Sequence, residues 1–199
     1  MSKLAVLMIA PQPFFSPRGT PISVLQRLKA LSELGHQVDL LTYPIGENVK
    51  MDGLTIHRLP YTFLHAVKVG PSLAKLLLDV FLFGQALALL SRRRYDVIHS
   101  HEEAAYFGIL LAKVFRTRHV YDMHSSLPHQ LKNFSAWSWT PLCALASFLE
   151  QLTVKRSDAV ITICPDLQRI ASEIGGQCPP VLIENVFDTD RFFAEAQHG

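Results

Sequence analysis

The chain has 199 residues, 49% apolar and 18% charged, with a net charge of +2. That length allows one domain with a full core or two small ones, and the apolar content is that of an ordinary globular fold, which excludes extensive disorder. The small net charge, and the lack of a Lys/Arg stripe interleaved with aromatics, argue against a nucleic-acid partner.

Residues 3–9 form a continuous apolar run of strand length, as expected for a strand covered on both faces. A charge followed by an apolar run also resembles a signal peptide. The run is short, however, and Pro11-Gln-Pro13 stands where a small-residue cleavage site belongs, so a buried first strand is expected. The loop 11–19 carries three prolines and one glycine. Thr20-Pro21 then opens a helix, with Thr as N-cap and Pro at the first helical position. Val24, Leu28 and Leu31 mark its buried stripe, and Gly35 stops it. Residues 37–43 are the next strand. Strand, helix and strand at this spacing form a βαβ unit with a parallel, right-handed crossover.

A polar turn region, 44–53, leads to a short strand at 54–59. Residues 72–90 are the most apolar helix of the chain, with Lys75 and Asp79 as a narrow polar stripe and Arg92-Arg-Arg94 at the end the macrodipole favours. Lys75, Asp79 and Gln85 interrupt a run that would need roughly 18 nearly uncharged residues to span a bilayer, so no span is expected. Two readings stay open. The helix is buried between the sheet and other elements, or its outer face meets a membrane surface or a partner, with Lys68 and Arg92 to Arg94 near anionic headgroups.

Strand 95–100, helix 103–115 with Ala105, Ile109 and Ala112 on one side, and strand 118–123 follow. The stretch 125–141 is loop-like and carries Phe134, Trp137 and Trp139. A helix at 142–156, a strand at 158–163, a helix from Pro165 to Gly175-Gly176 and a short strand at 181–184 complete the alternation. The tail reads as a linker with a short helical piece. Cys143, Cys164 and Cys178 are odd in number and none is at CxxC spacing, so neither a disulfide framework nor a structural zinc is indicated, and a reducing cytoplasm fits best.

Strands alternating with helices predict an α/β, Rossmann-like open, mostly parallel sheet of about seven strands with helices on both faces. Ligands of such sheets bind outside the carboxyl ends of the strands. His101, His124 and the loop 11–19 all fall at that edge, which is the argument that they share a site. In Pro17-Arg-Gly-Thr-Pro21 a glycine meets a helix start, where amide groups and the dipole favour a phosphate or polar sugar. By itself this is also an ordinary loop, and neither a Walker loop nor GxGxxG occurs. His99 and His101, at i and i+2, point to one side of a strand, but no third ligand stands at a persuasive spacing, so no metal is expected. His99 is expected to pack in the sheet, and His101, beside Glu102 and Glu103, to touch a polar ligand. Asp122-Met-His124-Ser125 holds the residue types of a hydrolase triad, but triads are assembled from separated segments and no GxSxG elbow exists. Asp188-Thr-Asp190 is a DxD, a pattern that can hold a divalent cation on a nucleotide diphosphate, placed here outside the expected cleft.

Several stretches together resemble one family, the GT-B-fold glycosyltransferases of family 4, retaining enzymes that use nucleotide sugars. Ser16-Pro-Arg-Gly19 through Leu34-Gly-His36-Gln-Val38 resembles the family's glycine loop and its GHxV turn. Asp96-Val-Ile-His-Ser-His101-Glu102 resembles the DVIHxHE segment, and Val120-Tyr-Asp-Met-His124 the strand whose terminal histidine faces the sugar. Ser157-Asp-Ala-Val-Ile-Thr-Ile163 and the run from Val181 to Phe192 resemble the ADAVIxxS and VIPNGVDTxRF segments, which accounts for the DxD as linker signature. The glycine loop has one glycine where two adjacent ones are usual, the linker lacks the glycine after Asn185, and the E-x7-E motif of the family's second domain does not occur.

The resemblance implies that residues 1–185 are the acceptor-side N-terminal domain of a GT-B fold and that 186–199 begin the interdomain linker. It implies Gly19, Arg18 and His124 on the donor sugar or phosphate, His101, Glu102 and Trp137 on the acceptor side, and no catalytic residue within this chain. The implied ligands are a nucleotide-sugar donor and a sugar or lipid-linked acceptor, with no metal or other cofactor. A C-terminal GT-B domain would be needed in cis or in trans, and the chain alone would be inactive. A cytoplasmic location is expected, with peripheral attachment at the inner membrane face through helix 72–90 as its extension. A non-catalytic membrane-surface or scaffold module is the alternative, and an α/β hydrolase ranks last.

Overall fold

A computed structural model of the chain describes residues 2–16, 19–60, 73–129 and 140–185. In chain order it holds β1 (Ala5–Ala10), α1 (Gly19–Glu33), β2 (Gln37–Thr42), β3 (Leu54–Arg58), α2 (Leu73–Arg92), β4 (Val97–His101), α3 (Ala104–Phe115), β5 (Arg118–Met123), α4 (Thr140–Arg156), β6 (Ala159–Thr162), α5 (Pro165–Ile174) and β7 (Val181–Leu182). The strands form one sheet of seven in the order β3-β2-β1-β4-β5-β6-β7. Every pairing is parallel. This is the Rossmann-like α/β sheet expected from the alternation of elements.

The central strand β1 is apolar throughout because both its faces are covered. Val6, Met8 and Ala10 pack on one face with Val24, Leu25 and Leu28 of α1. Leu7 and Ile9 pack on the other with Leu78, Leu82 and Ala86 of α2 and Leu111 and Ala112 of α3. Further along that second face, Tyr121, Met123 and Val160 meet Val154 of α4 and Leu167 and Ala171 of α5. The chain runs outward from β1 to β3 and then returns to the other side of β1 as β4. That reversal leaves α1 on one face and α2 to α5 on the other. A crevice at such a switch point is where α/β sheets bind ligands.

Two local details differ from expectation. The helix α1 starts at Gly19, so Thr20 lies in its first turn instead of capping it; the Thr20 hydroxyl donates to Glu102 Oε1 at 3.2 Å. The helix α2 is not buried between layers. Its polar pair, Lys75 and Asp79, turns inward, while Leu76, Leu77 and Val80 are each 61% exposed and Phe81 56%. Elsewhere the expected boundaries hold to within about three residues. Gly35 adopts φ +78 just past the end of α1, a left-handed stop that glycine takes without strain. Arg18, Trp137, Lys68 and the linker 186–199 lie outside the described residues.

Candidate functional site

The strands β4 and β5 lie side by side with His101 opposite Asp122. In a parallel pair, partners in register share a face, and so do residues two apart. His99, His101, Asp122 and His124 therefore converge on the face covered by α1. The rings of His99 and His101 stack at 4.8 Å with 9° between planes. His101 Nδ1 lies 3.0 Å from His124 Nε2. Asp122 receives His99 Nε2 at 3.2 Å on Oδ2 and faces His124 Nε2 at 3.1 Å with Oδ1. Arg27 reaches down from α1 and donates Nε–H to Asp122 Oδ2 at 3.0 Å; its other arm donates to the carbonyl of Ile183 at 3.1 Å. One helical turn earlier, the Ser23 hydroxyl bonds the Asn185 side chain. The α1 helix thus roofs the cluster and ties it to the segment following β7.

His101 and Asp122 are both 0% exposed. Burial alone would raise the Asp122 pKa, but His101, His124 and His99 around it more than offset this and hold it well below the usual carboxylate range. Burial drives the His101 pKa well below that of a free imidazole, with His99, His124 and Arg27 adding to the effect and Asp122 opposing it. At neutral pH the centre is thus a carboxylate balanced by the Arg27 guanidinium, with His101 a neutral imidazole beside it. His101 Nε2 and His124 Nδ1 are buried and have no hydrogen-bond partner among the described residues.

A second polar group sits where β4 ends. Glu102 leaves the strand at φ 48, a left-handed turn that lets it bond Thr20 of α1. Lys75 pairs with Glu103 and lies 3.6 Å from Glu102 Oε2. Tyr43 donates its hydroxyl to Asp79 Oδ1 at 2.6 Å. Burial pushes Asp79 up to about 7 against the opposing hydrogen bond from Tyr43. Burial also raises Glu103, against the pull of Lys75. Burial lowers the Lys75 pKa, but Glu103 and Glu102 outweigh it, so the ammonium is held above its ordinary value. Beside this group, a Cβ added at Gly19 would meet nothing within 4 Å among the described residues, which leave the amide end of α1 sterically open to a ligand.

The structure brings His101 and His124 into contact, joins Glu102 to α1 and leaves Gly19 open. It does not separate His99 from His101: the two rings stack, and His101 is as fully enclosed as a core residue instead of standing free at a cleft wall. Asp122, Arg27, Lys75 and Asp79 were not among the expected site residues, although Asp122 is the group on which Arg27, His99, His101 and His124 converge. Its signal lay in the alternation of both strands, which puts His99, His101, Asp122 and His124 on one face once the register is known. The same register supplies the third ligand atom that spacing did not: those of His99, His101 and Asp122 lie within 4.8 Å of one another. Arg27 already occupies that carboxylate, so a divalent cation would meet a fixed positive charge there. A hydrolase triad is not assembled among the described residues. Ser126 gives its hydroxyl to Glu150 Oε1 at 3.0 Å, and Ser100 and Ser157 bond His119. The DxD lies outside the described residues.

Over residues 18–185 the sequence matches the family described as glycosyl transferase 4-like domain. No curated protein matches the sequence significantly. Among solved structures the fold is similar to a sucrose-phosphate synthase from Thermosynechococcus elongatus, with a TM-score of 0.65 and 16% identity over 92% of this chain and 48% of that one. It is similar to Arabidopsis thaliana UGT89C1 complexed with UDP at a TM-score of 0.62 and 16% identity, over 96% of this chain and 51% of that one. Phytolacca americana UGT2, complexed with UDP-2fluoro-glucose and pterostilbene, gives 0.55 and 8% identity over 93% and 54%. The chain spans about half the length of these proteins. At such identities the likeness is one of fold.

Proposed function

Because this chain belongs to the glycosyl transferase 4-like domain family, we propose that it forms the acceptor-side, N-terminal half of a retaining glycosyltransferase that moves a sugar from a nucleotide sugar to an acceptor. The observation that carries this reading is the histidine pair at the ends of β4 and β5. His101 and His124 touch at 3.0 Å, and each keeps one ring nitrogen without a partner among the described residues. A sugar hydroxyl both donates and accepts, so it can complement a ring nitrogen in either tautomer. Asp122 and Arg27 hold the rings in place, which makes His124 an orienting group for the transferring sugar and not a nucleophile. Glu102 would border the acceptor, held by Thr20 and the charge of Lys75.

The diphosphate would approach Gly19, where the amides and dipole of α1 favour negative charge and no side chain among the described residues blocks the backbone. Arg18, immediately before it, would add its guanidinium, and Trp137 would lie on the acceptor side. In this reading the α1 terminus and donors of a C-terminal domain stabilise the leaving group, and no metal is required. The nucleotide would be held by a C-terminal GT-B domain in cis or in trans, and the acceptor would be a sugar or a lipid-linked sugar.

Transfer from a panel of radiolabelled nucleotide sugars tests this, with the 199-residue chain alone and with a C-terminal GT-B domain supplied. Transfer is expected only when both halves are present, with retained anomeric configuration. Turnover by the chain alone, or inversion, would overturn the reading.

A further inference from the structure

The helices α2, α3 and α4 lie side by side on one face of the sheet, and their outward sides are apolar. The exposed stripe of α2 runs Leu76, Leu77, Val80, Phe81, Gly84 and Leu87, with no charge in it. Leu110 and Val114 continue it on α3, and Leu145 and Phe148 on α4. Scattered exposed apolar residues are normal, but a patch over three neighbouring helices marks an interaction surface.

Charge identifies the partner. The three helices carry only two acidic residues, Asp79 and Glu150, and both turn inward, to Tyr43 and Ser126. The basic residues collect where the helices end: Arg92, Arg94, Lys113, Arg116, Lys155 and Arg156 are all exposed. Two acidic side chains lie at the same edge, Asp96 and Asp158, and both accept backbone amides, from Ala5 at 2.7 Å and His119 at 2.8 Å. An apolar face with no outward acid, and a rim whose six exposed basic side chains outnumber its two acids, suits an anionic lipid surface. No described helix is long and apolar enough to cross a membrane, so the geometry is that of a face lying on the bilayer.

We propose that the outer face of α2, α3 and α4 docks on an anionic bilayer, its aliphatic stripe entering the interface and its basic rim meeting the headgroups. This stands whether or not the chain transfers sugar.

Flotation with vesicles of phosphatidylcholine alone, or of phosphatidylcholine with phosphatidylglycerol, tests the proposal, with folding checked by circular dichroism and size by light scattering. The wild-type chain should float with the anionic vesicles, and less so as salt rises. Leu77→Glu with Phe81→Glu should abolish flotation. Arg92→Ala with Arg94→Ala and Lys155→Ala should lower partitioning by about tenfold or more, with little change on neutral vesicles. Failure of the wild type to float, flotation that survives the glutamates, or a wild-type dimer that the glutamates convert to a monomer would each overturn it; the last would assign the face to a second copy.

Discussion

The two faces of the sheet are opposites. Under α1 the interior is polar: a carboxylate, a guanidinium and three imidazoles are packed where a core would normally be aliphatic. Under α2 to α4 the interior is mainly apolar, with His119, Glu150 and the inward Lys75 and Asp79 as its polar groups, and the outside is apolar as well. Buried charge costs stability unless it is paired, and exposed aliphatic area gains nothing from folding. Each departure is therefore best explained by something other than stability, and they point to different partners: a small polar ligand at the first face and an extended surface at the second.

The largest expected effect breaks the polar face. Asp122→Ala leaves the Arg27 guanidinium buried without its carboxylate, and loss of one partner of a buried pair costs about 3–5 kcal/mol. Urea denaturation should show it as a lower midpoint at unchanged slope.

Next comes Asp79, on the inner side of α2. Its folded pKa is raised from 3.8 to about 7, so the folded state favours the protonated form. Its contribution is fully present below the unfolded pKa and is lost as pH rises from about 4 through about 7, with Glu103, also raised, acting in the same direction. Asp79→Asn keeps an acceptor for Tyr43 and should be more stable than the wild type at pH 8 by roughly 4 kcal/mol, and should match it near pH 4. An unchanged melting profile across that window would remove Asp79 from the account.

A smaller effect is expected at Gly108, where α3 crosses the sheet. An added Cβ there would come 2.3 Å from Ser100 Oγ and 2.7 Å from His119 Nε2. His119 bonds Ser157 at 2.9 Å and Ser100 at 3.1 Å, and burial, together with His99, lowers its pKa to about 3. Gly108→Ala should cost about 1–3 kcal/mol by forcing these side chains apart. The smallest effect belongs to the outer face: Leu77→Ser should shift stability by less than about 0.5 kcal/mol in thermal melts, because nothing among the described residues covers that side chain.

This contrast also explains what the sequence could convey. Strands were legible because a doubly covered strand is a continuous apolar run, as in β1, and strand 118–123 was located to the residue. His101 and His124 were legible as neighbours because both end strands. Asp122 was not, because its role depends on the register between β4 and β5, which neither segment encodes by itself. Arg27 was hidden for the same reason, as one more polar position on a helix whose roof-like placement only the fold reveals. The α2 helix was harder still. Its Lys75 and Asp79 have the i,i+4 spacing of a solvent stripe, and only Glu102, Glu103 and Tyr43 at the sheet edge explain why they turn inward.

The account rests on sugar transfer at the histidine pair. The most direct test joins wild-type chain and His124→Ala to the same C-terminal GT-B domain and measures transfer from a radiolabelled nucleotide sugar, with thermal melts confirming that both fold. Loss of an orienting contact predicts a rate lower by about 100-fold in His124→Ala. Equal transfer by the two proteins would contradict the assignment of this edge as the sugar site.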